Sequence, residues 1–309
     1  MDEMVKIRKL LFNSLIAGGV YGGAALLVGI FLQYNVLLLD GVYTLIGAIM
    51  SFLSLYIAKY IQTQDFERFP FGKEALLPLI VFIQYSIILL ISIYGIIESV
   101  MSLIYVGEIK DNRAVFYFSI LGMFYCLLFY LYLKRQPLMH SFYQIELEQW
   151  RFGFYFSLGV FASVVFSTLI QLSEYKLLAK YVDPVISIGI TLYFIYLSLR
   201  ELKQAILELT SSTPKYELRK KLLLSIDKIF ESKEIETYLL RVAKVGNQVI
   251  VEVDIVIWPN SELDAIQKQD MIREQLDDII RDQIGTYSLW LNVNFIGDIK
   301  WAYEDSEIS

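Results

Sequence analysis

The chain has one cysteine and one histidine in 309 residues. A single thiol, Cys126, excludes any intramolecular disulfide, and a single imidazole, His140, excludes an all-histidine metal site within one chain. Charge is scarce too: 19% of the residues are charged against 56% hydrophobic, and the mean hydropathy is +0.51. That composition lies far from the soluble average. The net charge of −6, with most acids late in the chain, offers nucleic acid nothing to bind. No HExxH, nucleophile–base pair or phosphate loop is present, so an enzyme is not expected. The first apolar run is too long for a cleavable signal peptide and lacks a small-residue cleavage site.

What the chain does have is long apolar runs. Six segments are long enough to cross a hydrocarbon core as helices: about Leu10–Tyr34, Val36–Ile61, Ala75–Tyr105, Val115–Leu133, Ile145–Leu172 and Val185–Leu207. The first carries Gly18/Gly22 and Gly19/Gly23, pairs that permit close helix approach without defining a dimer face. The sixth is entered through Asp183-Pro184, an expected N-cap with proline at the first helical position. Lys6, Arg8, Lys9, Lys59, Arg68, Lys73, Lys134, Arg135, Arg200 and Lys203 flank one side of the spans. Lys110, Arg113, Lys176 and Lys180 flank the other. Lys and Arg favour the cytoplasmic side, which places both termini in the cytoplasm of a cell-membrane protein.

The second span organises the rest. Asp40, Tyr43, Thr44, Gly47, Ser51 and Ser54 fall along one helical stripe, and the opposite face is Leu, Ile, Val and Phe. In lipid a polar stripe must face protein or a water-filled route. Asp40 is therefore a functional candidate, with a position near the wet membrane surface, or a cap on a neighbouring helix, as the bland alternative. On the fifth span Glu146, Gln149, Gly153 and Ser157 share a face that can look toward this stripe. The bland alternative there is that Glu146 and Glu148 are interfacial and flank Trp150 as an aromatic anchor; Glu148, on another face, fits that reading better. Glu98, toward the outer end of the third span, fits proton exchange and a wet position equally well, whereas His140, in a cytoplasmic loop, reads as a solvated or interface residue rather than a ligand, since a lone imidazole makes no site without partners.

From Ser211 the composition changes. SSTPKYELRKKLLLSIDKIF, opened by a Thr213-Pro214 cap, is an amphipathic helix, and Gly246-Asn247 joins two alternating strands into a hairpin. A second amphipathic helix follows, capped by Ser261, and SLWLNVNFIGD is a third strand. The chain thus divides into a six-helix transmembrane domain, 1–210, and a small α+β domain of order αββαβ, ferredoxin-like, at 211–309. The tail lacks His and Cys, and its acids, among them Glu252, Asp254, Asp264, Asp277 and Asp278, read mostly as a solvated face.

In order and spacing, LLLDGVYTLIGAIMSFLSL, FPFGK, SLGV at 157–160, YVDP at 181–184 and TYLLRVAKVGNQVIVEVDI resemble the cation diffusion facilitator (cation efflux) family over nearly the whole chain. The resemblance implies a homodimer, joined through the C-terminal domain, that exchanges a divalent cation for protons by alternating access. It also implies two ligands one turn apart on the second span and a His/Asp-x-x-x-Asp pair on the fifth. Aligned on those motifs, the ligand positions hold Tyr43, Gly47, Gln149 and Gly153, and a connector Glu is replaced by Leu77. No four-ligand zinc site is expected there. The remaining oxygen donors, with Asp40 and Glu146 the best metal candidates, suit a harder cation such as Mn²⁺ or Mg²⁺. A divalent cation enters as substrate, its identity open, and no resident cofactor is expected. The alternative is a degenerate, non-transporting partner or regulatory subunit.

Overall fold

The computed structural model describes residues 2–61, 63, 65, 67–105, 113–136, 138, 140–213, 216–230, 235–259 and 261–303. Among them six helices are long and apolar enough to span a membrane. They are α1 (Asp2–Leu32), α2 (Asn35–Ile61), α3 (Leu76–Ile104), α4 (Arg113–Lys134), α5 (Ser141–Gln171) and α6 (Val182–Leu209). Most carry large apolar side chains on their outer faces, Phe12, Phe31, Leu90 and Leu128 among them, as lipid-facing surfaces require. Lys110, part of the charge count, lies outside the described residues. The chain falls into two compact units, Met1–Ala205 and Ile206–Ser309.

Within the first unit, α1 packs along α2 at glycines. A β-carbon at Gly22 would lie 2.9 Å from the Leu45 amide nitrogen, and one at Gly41 only 2.5 Å from that of Leu26. Gly18 and Gly22 thus serve contact inside the chain, whereas Gly19 and Gly23 face open space. The charged N-terminal stretch continues the helix, which already runs from Asp2; Ile7, Leu10 and Leu11 are buried against its neighbours.

Helix α2 is held at both ends by charged side chains from outside it. The Asp183 carboxylate accepts from the Asn35 and Val36 amides, each at 3.1 Å. Lys73 Nζ donates to the Tyr60 and Thr63 carbonyls at 3.3 and 2.8 Å and lies 4.0 Å from the Tyr60 ring centroid. An acid at the N-terminus and a base at the C-terminus complement the helix dipole. A 3₁₀ helix, Lys176–Tyr181, runs directly into α6 at Val182, so Asp183, expected as the N-cap of α6, lies inside that helix while its carboxylate serves the first turn of α2. His140, read as a loop residue, is the N-cap of α5: its Nδ1 accepts from the Phe142 amide at 3.3 Å.

The second unit runs α7 (Tyr216–Phe230), β1 (Ile235–Val245), β2 (Gln248–Ile257), α8 (Ile266–Ile284) and β3 (Ser288–Ile296). Strand order is β1-β2-β3, with β1 antiparallel and β3 parallel to β2. Parallel pairing needs a crossover, and α8 supplies it. Leu222 and Ile226 of α7 and Ile272, Leu276 and Ile280 of α8 form one core with Val242, Val251, Val253 and Val293. Gly246 turns the hairpin with φ +59°. Ser261 caps the short 3₁₀ helix Glu262–Asp264 rather than α8, accepting from the Leu263 amide at 3.2 Å. Of the expected Thr213-Pro214 cap, Pro214 lies outside the described residues.

One tail acid departs from the solvated face expected of it. Asp254 is 3% exposed. It sits on the sheet face away from the helices, where it accepts from Arg241 at 2.6 Å and Asn294 at 2.8 Å. Register explains the grouping: Asn294 is its direct partner on β3, and Arg241, opposite Glu252, reaches it diagonally.

Candidate functional site

Helices α2 and α5 run antiparallel with their polar stripes face to face. Asp40 meets Ser157, and Ser51, eleven residues further along α2, meets Glu146, eleven residues earlier on α5. The two carboxylates therefore occupy separate levels, about 16 Å apart at 1.5 Å of rise per residue. Both are fully withdrawn from solvent, Asp40 at 0% and Glu146 at 2% exposure.

At the Asp40 level, the Tyr21 hydroxyl of α1 donates to Oδ2 at 2.5 Å and Ser157 Oγ lies 3.4 Å from the same oxygen. Tyr21 and Ser157 are themselves 3.2 Å apart, and Cys126 Sγ of α4 stands 3.5 Å from Ser157 Oγ. Gly122 makes room for Tyr21, since a β-carbon there would lie 2.3 Å from the phenol oxygen. At the Glu146 level, Ser51 donates to Oε1 at 2.7 Å and Ser14 donates to Oε2. Trp150 Nε1 then donates to Ser14 Oγ at 2.6 Å.

These contacts correct the interfacial alternatives. Trp150 is no surface anchor: it is buried, with its ring 4.1 Å from that of Phe129. Glu146 is buried with it, because α1 and α4 close over this face of α5. Glu148, one turn-face away, stays partly exposed and pairs with Arg151. Glu98 is exposed.

Between the two levels lies the place where the resemblance puts metal ligands. Gln149 fills it. A β-carbon on Gly47 would stand 2.3 Å from Gln149 Nε2, so the bare α2 backbone is what admits the amide. Gln84 of α3 reaches the same point, its Nε2 3.4 Å from Gln149 Oε1. The Tyr43 hydroxyl lies 3.5 Å from the Gln149 carbonyl, and its ring packs with Phe156 and Phe194 at centroid distances of 6.0 and 4.9 Å. Thr44 donates to the Asp40 carbonyl at 2.8 Å and so is occupied by its own helix. Gly153 is buried, and a β-carbon there would meet nothing within 4 Å.

Of the seven candidates, then, Asp40 and Glu146 are not brought to one point. They head separate clusters, and Tyr43, Gly47 and Gln149 lie between them. Reading the sequence missed Ser14, Tyr21 and Cys126. Ser14 and Tyr21 lie seven residues apart, two turns on one face of α1, a spacing the abundant glycines obscured.

The chemistry of both clusters is hydroxyl chemistry. Among the described residues neither carboxylate forms an ion pair, and no three His, Cys, Asp or Glu side chains come together as a metal group. A hydroxyl carries lone pairs as well as a proton, so the group that donates to a carboxylate can turn and coordinate a cation. Oxygen donors of this kind suit hard cations.

Six membrane-spanning helices with buried carboxylates on a polar seam, joined to a small mixed-sheet domain, define an ion-handling membrane protein. The family model for the cation efflux transmembrane domain matches residues 11–210. The chain belongs to that family, the cation diffusion facilitators, whose members are membrane transporters of cations rather than enzymes. Comparison with curated proteins returns no match.

Proposed function

We propose that this protein is an efflux antiporter that exchanges a hard divalent metal cation for protons across the cell membrane, with Asp40 and Glu146 as its anionic stations. It works as a homodimer joined through the C-terminal unit, with both termini in the cytoplasm. One observation carries the reading: two carboxylates are completely buried in the helix bundle and, among the described residues, accept from hydroxyls only. A cation crossing a low-dielectric region needs an anionic group on its route, and intramembrane acids of this kind mark ion and proton pathways. Hydroxyls satisfy the carboxylates without neutralising them, which leaves the counter-charge to the transported ion or proton.

The second reading, a non-transporting partner subunit, draws on the Gln149 amide occupying the place of the usual ligands. Flux across proteoliposomes separates the two. Uptake of Mn²⁺ or Mg²⁺ driven by an opposing proton gradient, and lost in Asp40→Asn, supports the antiporter. No flux of any cation in a panel of Mn²⁺, Mg²⁺, Zn²⁺, Co²⁺ and Fe²⁺ supports the partner subunit.

A further inference from the structure

The two oxygens of Glu146 are not equivalent. An indole N–H can only donate, and Trp150 Nε1 lies 2.6 Å from Ser14 Oγ, so Ser14 gives it a lone pair and turns its own proton to Glu146 Oε2. The other hydroxyl within reach of Ser14 is Ser51 Oγ, at 3.5 Å a poor exchange. Oε2 is thus held as an acceptor. Ser51 is placed differently: its Oγ lies 2.7 Å from Glu146 Oε1 and 3.0 Å from the Gly47 carbonyl, one turn back on α2. It has one proton for two acceptors.

A carboxylic acid needs just such a partner. When Glu146 is ionised, Ser51 donates to Oε1. When a proton binds Oε1, the acid O–H donates to Ser51 Oγ, and Ser51 turns to Gly47, a bond that helix serines readily make. Each of these buried groups keeps a partner in both states, so proton uptake leaves none unsatisfied. Asp40 lacks this arrangement. Ser157 Oγ stands 3.5 and 3.4 Å from its two oxygens and, among the described residues, has no carbonyl to turn to. Among the described residues no charged group stands against Glu146 from α1, α2, α4 or α5. The titratable groups beside the cluster are Tyr125 of α4, next to the Trp150 ring, and Tyr143, three residues before Glu146 on α5. Their hydroxyls donate to the Ala17 and Leu133 carbonyls at 3.0 and 2.8 Å.

We propose that Glu146 carries the coupling proton of the exchange on Oε1. Ser51 is the positioning residue that switches between Oε1 and the Gly47 carbonyl, while Ser14, fixed by Trp150, holds Oε2. The proposal rests on the transport reading and divides its labour: Glu146 takes the proton, and Asp40 is left to the cation. The proton comes from solvent and returns to it, and no other covalent bond is made or broken.

The test is infrared difference spectroscopy of the full chain in detergent between alkaline and acid pH, which reads the carbonyl stretch of a protonated carboxyl group. Mn²⁺ flux driven by a proton gradient in proteoliposomes is measured alongside. Acidification should raise the band of a buried acid that is absent in Glu146→Gln and persists in Asp40→Asn. Ser51→Ala removes the acceptor of the acid proton and should move that band to higher frequency. Flux should fall about tenfold with it, the worth of one hydrogen bond to a charged group. Ser51→Thr keeps the hydroxyl and should restore both, and a hydroxyl that served packing alone would leave the band where it was. No such band, a band that survives Glu146→Gln, or one that Ser51→Ala leaves unmoved overturns the proton site. The expected bands without any Mn²⁺ flux keep the site and overturn the transport reading. Proton-driven flux without the band does the reverse.

Discussion

Asp254 in the tail sheet and Asp40 in α2 are both buried, yet they are satisfied in opposite ways. Asp254 accepts from the Arg241 guanidinium and the Asn294 amide, so a fixed cation stands against its charge. Asp40 accepts from the Tyr21 and Ser157 hydroxyls, and Glu146 from Ser14 and Ser51. In the small α/β unit a permanent partner is the answer to a buried acid. In a membrane bundle the same partner would neutralise the group for good, and an ion route needs it available. On the proposed transport reading, the difference separates a carboxylate that holds structure from one that exchanges its counter-ion.

The largest effect should come from breaking the membrane side of this comparison. Asp40→Asn keeps the shape and the hydrogen bonds from Tyr21 and Ser157 but removes the anion. Flux per folded protein should fall to the background of empty liposomes, and Glu146→Gln should impair it strongly. Tyr21→Phe removes one orienting hydroxyl and should lower flux about tenfold. Glu148→Gln, whose carboxylate is partly exposed and paired with Arg151, should matter least. Full flux in both Asp40→Asn and Glu146→Gln would move the weight to the partner-subunit reading.

A second, smaller effect is expected where α2 gives room to Gln149. Gly47→Ala places a methyl 2.3 Å from the Gln149 nitrogen, a position no real contact tolerates, so the amide must leave. Mn²⁺ flux should drop several-fold while the protein still folds. Gly19→Ala, on a helix face open to its surroundings, is the matched control and should leave flux unchanged. Equal flux in the two variants would detach Gln149 from the route.

Much of this architecture is legible in one sequence, and the reasons are physical. Apolar runs of more than twenty residues have few alternatives to spanning a membrane, and alternation with a Gly-Asn turn has few alternatives to a hairpin. The stripe headed by Asp40 is visible because helical period is a local property. Depth is not local. Whether Glu146 lies at the surface or in the bundle depends on α1 and α4 closing over α5, which no residue near 146 announces. Asp183 likewise reads as a cap, and it is one, but for a helix nearly 150 residues earlier in the chain (Val36, |i−j| = 147). In the tail, Asp254 looks like its solvated neighbours until the register of three strands sets Arg241 and Asn294 beside it.

Breaking the tail side should cost stability and spare transport. Arg241→Met leaves Asp254 buried without its cation. Loss of one partner of a buried pair costs about 3–5 kcal/mol, and less here because Arg241 is 42% exposed; about 2 kcal/mol is expected. Hydrogen exchange across β1–β3 in the full chain should show that loss with flux per folded protein unchanged. Adding Asp254→Leu should recover most of it, since an apolar pair replaces the unpaired charge. A loss of flux as large as that of Asp40→Asn would erase the distinction between the two acids.

The finest test uses a tyrosine–aspartate pair that occurs in both units. Tyr21 donates to Asp40 in the bundle, and Tyr238 of β1 donates to Asp227 of α7 in the tail, where both groups are partly wet. Burial, then the hydrogen bond to Asp227 and its negative charge, push the Tyr238 phenol above its ordinary value of 10. A group raised on folding contributes stability that is fully present below the unfolded value and lost as pH rises through the folded one. The tail should therefore hold its stability to about pH 10 and lose this contribution above it. Tyr238→Phe should cost about 1 kcal/mol at neutral pH, the worth of one hydrogen bond, and should flatten the alkaline loss. Flux at neutral pH should not respond, in contrast to Tyr21→Phe. If Tyr238→Phe changes neither the neutral stability nor its alkaline slope, the bond tying α7 to β1 carries nothing. If it lowers flux as Tyr21→Phe does, the tail pair is not merely structural.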